Sequence, residues 1–140
     1  MKKIVILLFA VLILASCGKK EVKLVSQEST ASLEAFALAD TIRTAFINND
    51  RVTIQKNSTT EGYKDITAGK KAFDKVELFF TPRWVEIENN QTYLNISWKS
   101  AWTNVGRKSE DRGMAVFVME GRPLKVSKIL RANPFISPEQ

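Results

Sequence analysis

The sequence predicts an α+β domain in which N-terminal helices pack on a curved, four-stranded antiparallel sheet. Two observations carry this. Apolar residues recur at helical spacing between residues 30 and 47, and from Lys75 onward the period drops to two. The strand-like segments then follow one another with turn residues between them and no helix, which gives consecutive antiparallel pairing.

The chain opens with Met1-Lys2-Lys3, followed by an unbroken apolar run of 12 residues, Ile4 to Ala15. A permanent transmembrane helix needs about 20 such residues, so this run has the length of a signal-peptide core. Leu14-Ala15-Ser16-Cys17 comes next: one aliphatic residue, two small ones and the chain's single cysteine. The segment resembles the lipobox of bacterial lipoproteins. That resemblance implies a diacylglyceryl thioether on Cys17, cleavage after Ser16, and a mature protein held on the lipid membrane by two or three acyl chains such as palmitate. The residue after the cysteine is Gly18, not the Asp associated with inner-membrane retention. This favours an outer membrane facing the periplasm over an inner membrane. The expected organisation is a signal peptide over 1–16, a lipidated tether over 17–29, a folded domain over 30–131 and an extended C-terminal tail over 132–140.

Thr30 to Ile47 reads as the first helix. Ser29 or Thr30 can cap it, and Ala35, Leu38, Ala39, Ile42, Ala45 and Phe46 form one apolar stripe. Asp50 can cap a short helix through Lys56, Thr60 to Asp65 forms another helical turn, and Ala68-Gly69-Lys70 turns the chain. Val76 to Ile87 is the first strand; Pro82 within it calls for an edge position or a bulge. Glu88-Asn89-Asn90 makes the hairpin turn. Along the second strand Leu94, Ile96, Trp98 and Trp102 face one way, while Asn95, Ser97 and Lys99 face the other. Val105 to Asp111 reads as a charged loop. Arg112 to Glu120 is a central strand, apolar on both faces, and Gly121-Arg122-Pro123 leads into a fourth strand, Leu124 to Leu130.

An opening helix ending in Asn48-Asn49-Asp50, and a late strand pair joined at Met119-Glu120-Gly121-Arg122-Pro123, together resemble the nuclear transport factor two-like, cystatin-like cone superfamily. The resemblance spans Thr30 to Leu130 in element order and implies a cone-like fold with a natural concavity. The superfamily includes ketosteroid isomerases and polyketide cyclases, whose pockets hold an Asp or Glu base with a Tyr, Asp or His partner. Here the resemblance leaves Asp40 and Asp65 as candidate carboxylates. Asp40, however, lies at i,i+3 from Arg43, the spacing of a surface ion pair.

The composition excludes several chemistries. Histidine is absent and cysteine occurs once, which rules out an internal disulfide, a Ser-His-Asp triad, a Cys-His dyad and a histidine-based zinc site. No metal and no cofactor is expected. Without Lys2 and Lys3 the 21 basic residues become 19, against 15 acidic ones, and no basic run is interleaved with aromatics; nucleic acid is not an expected partner.

The aromatics are the remaining group. Phe80, Trp84, Trp98 and Trp102 are the candidate pocket or partner face, with Phe79 and Phe117 also on strands. Read as structure, the same residues are the core of a curved sheet against its helix. The expected function is a membrane-anchored envelope lipoprotein with a non-catalytic domain that binds an envelope protein partner or a small apolar ligand. The alternative is a small isomerase, cyclase or hydrolase that uses one pocket carboxylate.

Overall fold

A computed structural model of the chain describes residues 27–69 and 73–138. Cys17, the lipobox and Lys70 lie outside the described residues. Three helices precede four strands: α1 (Gln27–Ile47), α2 (Arg51–Lys56), α3 (Thr60–Thr67), β1 (Lys75–Glu88), β2 (Gln91–Asn104), β3 (Arg107–Glu120) and β4 (Lys125–Arg131).

Helix α1 begins one turn earlier than its capping residues suggest. It buries Ala35, Leu38, Ala39, Ile42 and Ala45, the stripe expected from the 3.6-residue period. Asn49 ends it in the left-handed conformation (φ 55°), and the Asp50 N–H donates to the Ala45 carbonyl at 2.8 Å. Asp50 then caps α2: its carboxylate accepts the Thr53 N–H at 3.1 Å and the Thr53 hydroxyl at 2.6 Å. Thr59 caps α3 through the Gly62 N–H at 3.2 Å. Helix α3 lies so close to β4 that a Cβ on Gly62 would stand 2.0 Å from the Val126 carbonyl oxygen. Only glycine fits there. The Thr59 N–H donates to the same carbonyl at 2.9 Å, and the Val126 N–H donates to the Asn57 carbonyl at 3.0 Å.

The sheet has the order β1-β2-β3-β4, every pair antiparallel. Asn89 and Asn90 both take positive φ in the β1–β2 turn, as a tight hairpin requires. The register of β1 against β2 shifts between Pro82 and Trp84, so Arg83 is the extra residue of a bulge. This is the irregularity that proline inside a strand calls for.

Two segments differ from expectation. The charged stretch 105–111 is not a loop. Val105 and Gly106 alone make the turn (φ 48° and 74°), and β3 starts at Arg107. Its charges fall on both faces of a strand, where Lys108 and Glu110 pair at 2.7 Å much as Lys75 and Glu77 pair at 2.6 Å on β1. Solvated charge made the segment look like a loop, although it is hydrogen-bonded throughout to β2. The tail beyond Arg131, expected to be extended, folds back over the sheet. Phe135 is fully buried, with its ring centroid 4.8 Å from that of Phe46 and 6.0 Å from those of Phe80 and Phe117. Gly69 lets the tail approach: an added Cβ would stand 2.8 Å from the Phe135 carbonyl oxygen.

Candidate functional site

The strand period places alternate residues of one sheet in two environments. On the inner face, Leu78, Leu94, Ile96, Trp98, Ala115, Phe117, Met119, Val126 and Ile129 pack against the stripe of α1. Of the four candidate aromatics, three belong here. Phe80 stacks edge-on against Phe117 with centroids 5.6 Å apart. Trp98 is buried and its indole N–H donates to the Ala132 carbonyl at 3.0 Å, which ties the tail to the sheet. Trp102 is buried between Phe46 and Phe73, with centroid separations of 6.0 and 5.1 Å, and donates to the Ser100 hydroxyl at 3.0 Å. Trp98 and Trp102 fill space in the core, and Phe80, partly buried, packs against it.

Trp84 is different. It is 44% exposed on the outer face, and its indole N–H donates to the Glu86 carboxylate at 2.9 Å. The bulge decides this. In an unbroken strand Trp84 would share the face of Phe80 and point inward; the extra residue Arg83 returns it to the outer side. Phe79, set aside from the candidates by sequence reasoning, joins it there at 62% exposed. The signal was present, because of two adjacent strand residues only one can face the core.

The candidate carboxylates do not meet in a pocket. Asp40 lies on the solvent side of α1 with its side chain 66% exposed and pairs with Arg43 at 2.7 Å. Arg43 in turn donates to the Leu78 carbonyl at 3.1 Å, fastening α1 to β1. The Asp65 carboxylate accepts the Ile129 N–H at 2.9 Å, and the Asp65 carbonyl accepts from the Asn133 side chain at 2.7 Å. Asp65 therefore joins α3 to β4 and the tail. Among the described residues the buried polar side chains are Ser58, Thr92, Asn95 and Ser100, none of them ionisable at neutral pH. No group of three or more His, Cys, Asp or Glu is placed among them to hold a metal ion. No described helix is long and apolar enough to cross a membrane.

Where the inner face is filled, an open groove of about 900 Å³ remains at the rim. The first turns of α1 form one wall with Thr30, Ala31 and Glu34; Ile87 and Thr92 of the first hairpin and the 121–124 turn form the other. Ile87, 51% exposed, and half-buried Leu124 give the groove some apolar surface, but its lining is mostly polar and includes one acid, Glu34, and one base, Arg122. It offers mixed polar and apolar contact.

No protein-family model matches the chain, and no curated protein matches it. Among solved structures it is similar to a nuclear transport factor 2 (NTF2-like) superfamily protein from Salmonella enterica subsp. enterica serovar Typhimurium str. LT2. The identity is 13%, the likeness covers 76% of this chain and 92% of that one, and the TM-score is 0.64. At that identity the likeness is one of fold, and three helices followed by an open four-stranded antiparallel sheet agree with it. The chain therefore shares the α+β cone fold of that structure.

Proposed function

We propose that the chain is a bacterial envelope lipoprotein, anchored through acylated Cys17, whose cone domain is a non-catalytic binding module. The observation that carries the non-catalytic part is the filled interior: Phe80, Trp98, Phe117 and Phe135 occupy the space in which a pocket enzyme of this fold would hold its base. An ionisable group perturbed by burial is the usual mark of acid–base chemistry, and the described interior buries none. Asp40 is solvated, and Asp65 holds a backbone N–H. The lipid anchor rests on Leu14-Ala15-Ser16-Cys17 and the short apolar run before it. Among the described residues, the rim groove suits a small ligand that makes both polar and apolar contacts, and the outer face around Trp84 suits a larger partner.

Metabolic labelling with an alkyne fatty acid tests the anchor. Wild-type protein incorporates the label, whereas Cys17→Ser does not and accumulates at precursor size. Turnover of esters or ketosteroids by the purified protein, slowed by Asp40→Asn or Asp65→Asn, would restore the carboxylate isomerase, cyclase or hydrolase reading and end the non-catalytic one.

A further inference from the structure

We infer that the outer face of the sheet is a second membrane contact, which lays the domain flat on an anionic bilayer. The inference rests on the lipid-anchored reading above. The register places Phe79, Lys99 and Arg112 side by side in one row across β1, β2 and β3. The next row on that face holds Ser97 and Met114, and the one after it Trp84, Asn95 and Val116. Phe79, Trp84 and Met114 are 62%, 44% and 38% exposed. The Arg83 guanidinium reaches the Ser97 hydroxyl at 3.0 Å and so lies over the same area.

Charge gives the patch its sign. The acids on the row beyond Phe79, Glu77 and Glu110, are already matched by Lys75 and Lys108, whereas Glu86, which accepts the Trp84 indole N–H, keeps its charge. Neither Lys99 nor Arg112 is in an ion pair among the described residues, and Arg83 bonds only a hydroxyl there. Among the described residues, three cations against one unpaired acid, Glu86, therefore surround two protruding aromatics and a methionine, and the patch is net positive. This combination suits the headgroup layer, where aromatic rings sit at the interface and each Lys or Arg near an anionic surface contributes about 1 kcal/mol. A second copy of the chain would bring the same cations to both sides of the joint. The patch's rings at Phe79 and Trp84 stand clear of the sheet, whereas a stable protein interface centres on anchor side chains seated in pockets.

The tether permits this orientation. Cys17 and Gln27 are ten residues apart, a reach of at most about 35 Å when extended. Helix α1 covers the inner face, and stacked layers lie about 10 Å apart, so the lipid can reach the plane of the outer face round the edge of the sheet. Tethering also keeps the local lipid concentration high, so a modest patch suffices.

The test uses the lipidated protein reconstituted into phosphatidylethanolamine/phosphatidylglycerol vesicles that carry brominated acyl chains. Trp98 and Trp102 are buried, so lipid quenching of tryptophan fluorescence reports Trp84. Quenching is expected on these vesicles and not on phosphatidylcholine vesicles. Trp84→Phe should abolish it, and Lys99→Ala should weaken docking about fivefold, the equivalent of about 1 kcal/mol. Lys99→Glu combined with Arg112→Glu should remove it, with the near-ultraviolet circular dichroism of the buried tryptophans confirming the fold. Retention on vesicles at high salt reads the acyl anchor separately, so an unacylated chain is recognised before any quenching is measured. An anchored protein whose Trp84 stays open to aqueous acrylamide overturns the inference. So does shielding of Trp84 in detergent that grows with protein concentration, which would mean a second copy. Shielding in native envelopes but not on vesicles would mean an acidic protein and would overturn it equally.

Discussion

The two faces of the sheet are built from alternate residues of the same strands, yet they differ in almost every physical respect. The inner face is packed, its rings in contact from Phe46 through Phe135 to Phe80 and Phe117. The outer face is a field of charge crossed by an apolar band, in which Val116 and Val118 are buried by their neighbours while Phe79 and Trp84 stand clear. The inner face resembles a completed fold and the outer face an unfinished contact. Aromatic content alone therefore says little about function; the side of the pleat on which each ring falls decides it.

If that division is right, substitutions on the two faces should differ by an order of magnitude in their effect on stability. The largest effect is expected at the plug. Phe117→Ala or Phe135→Ala should lower the unfolding free energy by about 3–5 kcal/mol in denaturant titration, the usual loss for a buried phenylalanine. A loss below about 1 kcal/mol at Phe135 would mean that the tail is not part of the core. Next comes Asp65→Ala, which strands the Ile129 N–H beside α3 and should cost about 1–3 kcal/mol. Trp84→Ala on the outer face should change stability by less than about 0.5 kcal/mol while altering whatever that face binds.

The smallest effect is electrostatic and has a definite sign. Hydrogen bonds from Thr53 hold the Asp50 carboxyl below its ordinary 3.8, and Lys75 and Lys108 hold Glu77 and Glu110 below 4.5. Each carboxyl is depressed in the folded state, so its contribution is complete above those ordinary values and is lost as pH falls through the folded ones. All three are solvent-exposed, so the acid-induced loss should be slight, and for the two ion pairs smaller still in high salt. Thermal melts from pH 6 down to 3, with Asp50→Ala and Glu77→Gln as comparisons, measure it.

Much of this architecture was legible in the sequence because it rests on local periodicity. The α1 stripe, the Asp50 cap, the bulge beside Pro82 and the alternation of β2 all followed from spacing. What spacing could not supply was long-range pairing. Arg107 to Asp111 carry solvated charge and read as a loop, yet they are a strand because β2 offers them partners. Phe135 stands in a proline-rich tail with no periodic context, and only the ring-lined gap between α1 and the sheet explains it. For the candidate site, the fold divides the four rings: Phe80, Trp98 and Trp102 fall on the inner face and Trp84 on the outer one, so they do not form a single face. The bulge was foreseen there, but not its effect on which way the next side chain points.

The back-folded tail also bears on how the chain is made. Synthesis runs from the amino terminus, so Phe135 emerges after every helix and strand it completes. Until then Phe46, Phe80 and Phe117 lack the ring that closes them together, and Asp65 waits for a partner 68 positions later. Contacts so distant in sequence form late. A nascent or truncated chain therefore exposes sticky aromatic surface and is a natural substrate for chaperones and proteases. For a protein threaded across a membrane as proposed, such lateness is an advantage: the polypeptide stays loose while it is translocated and sets only once its last turn has arrived.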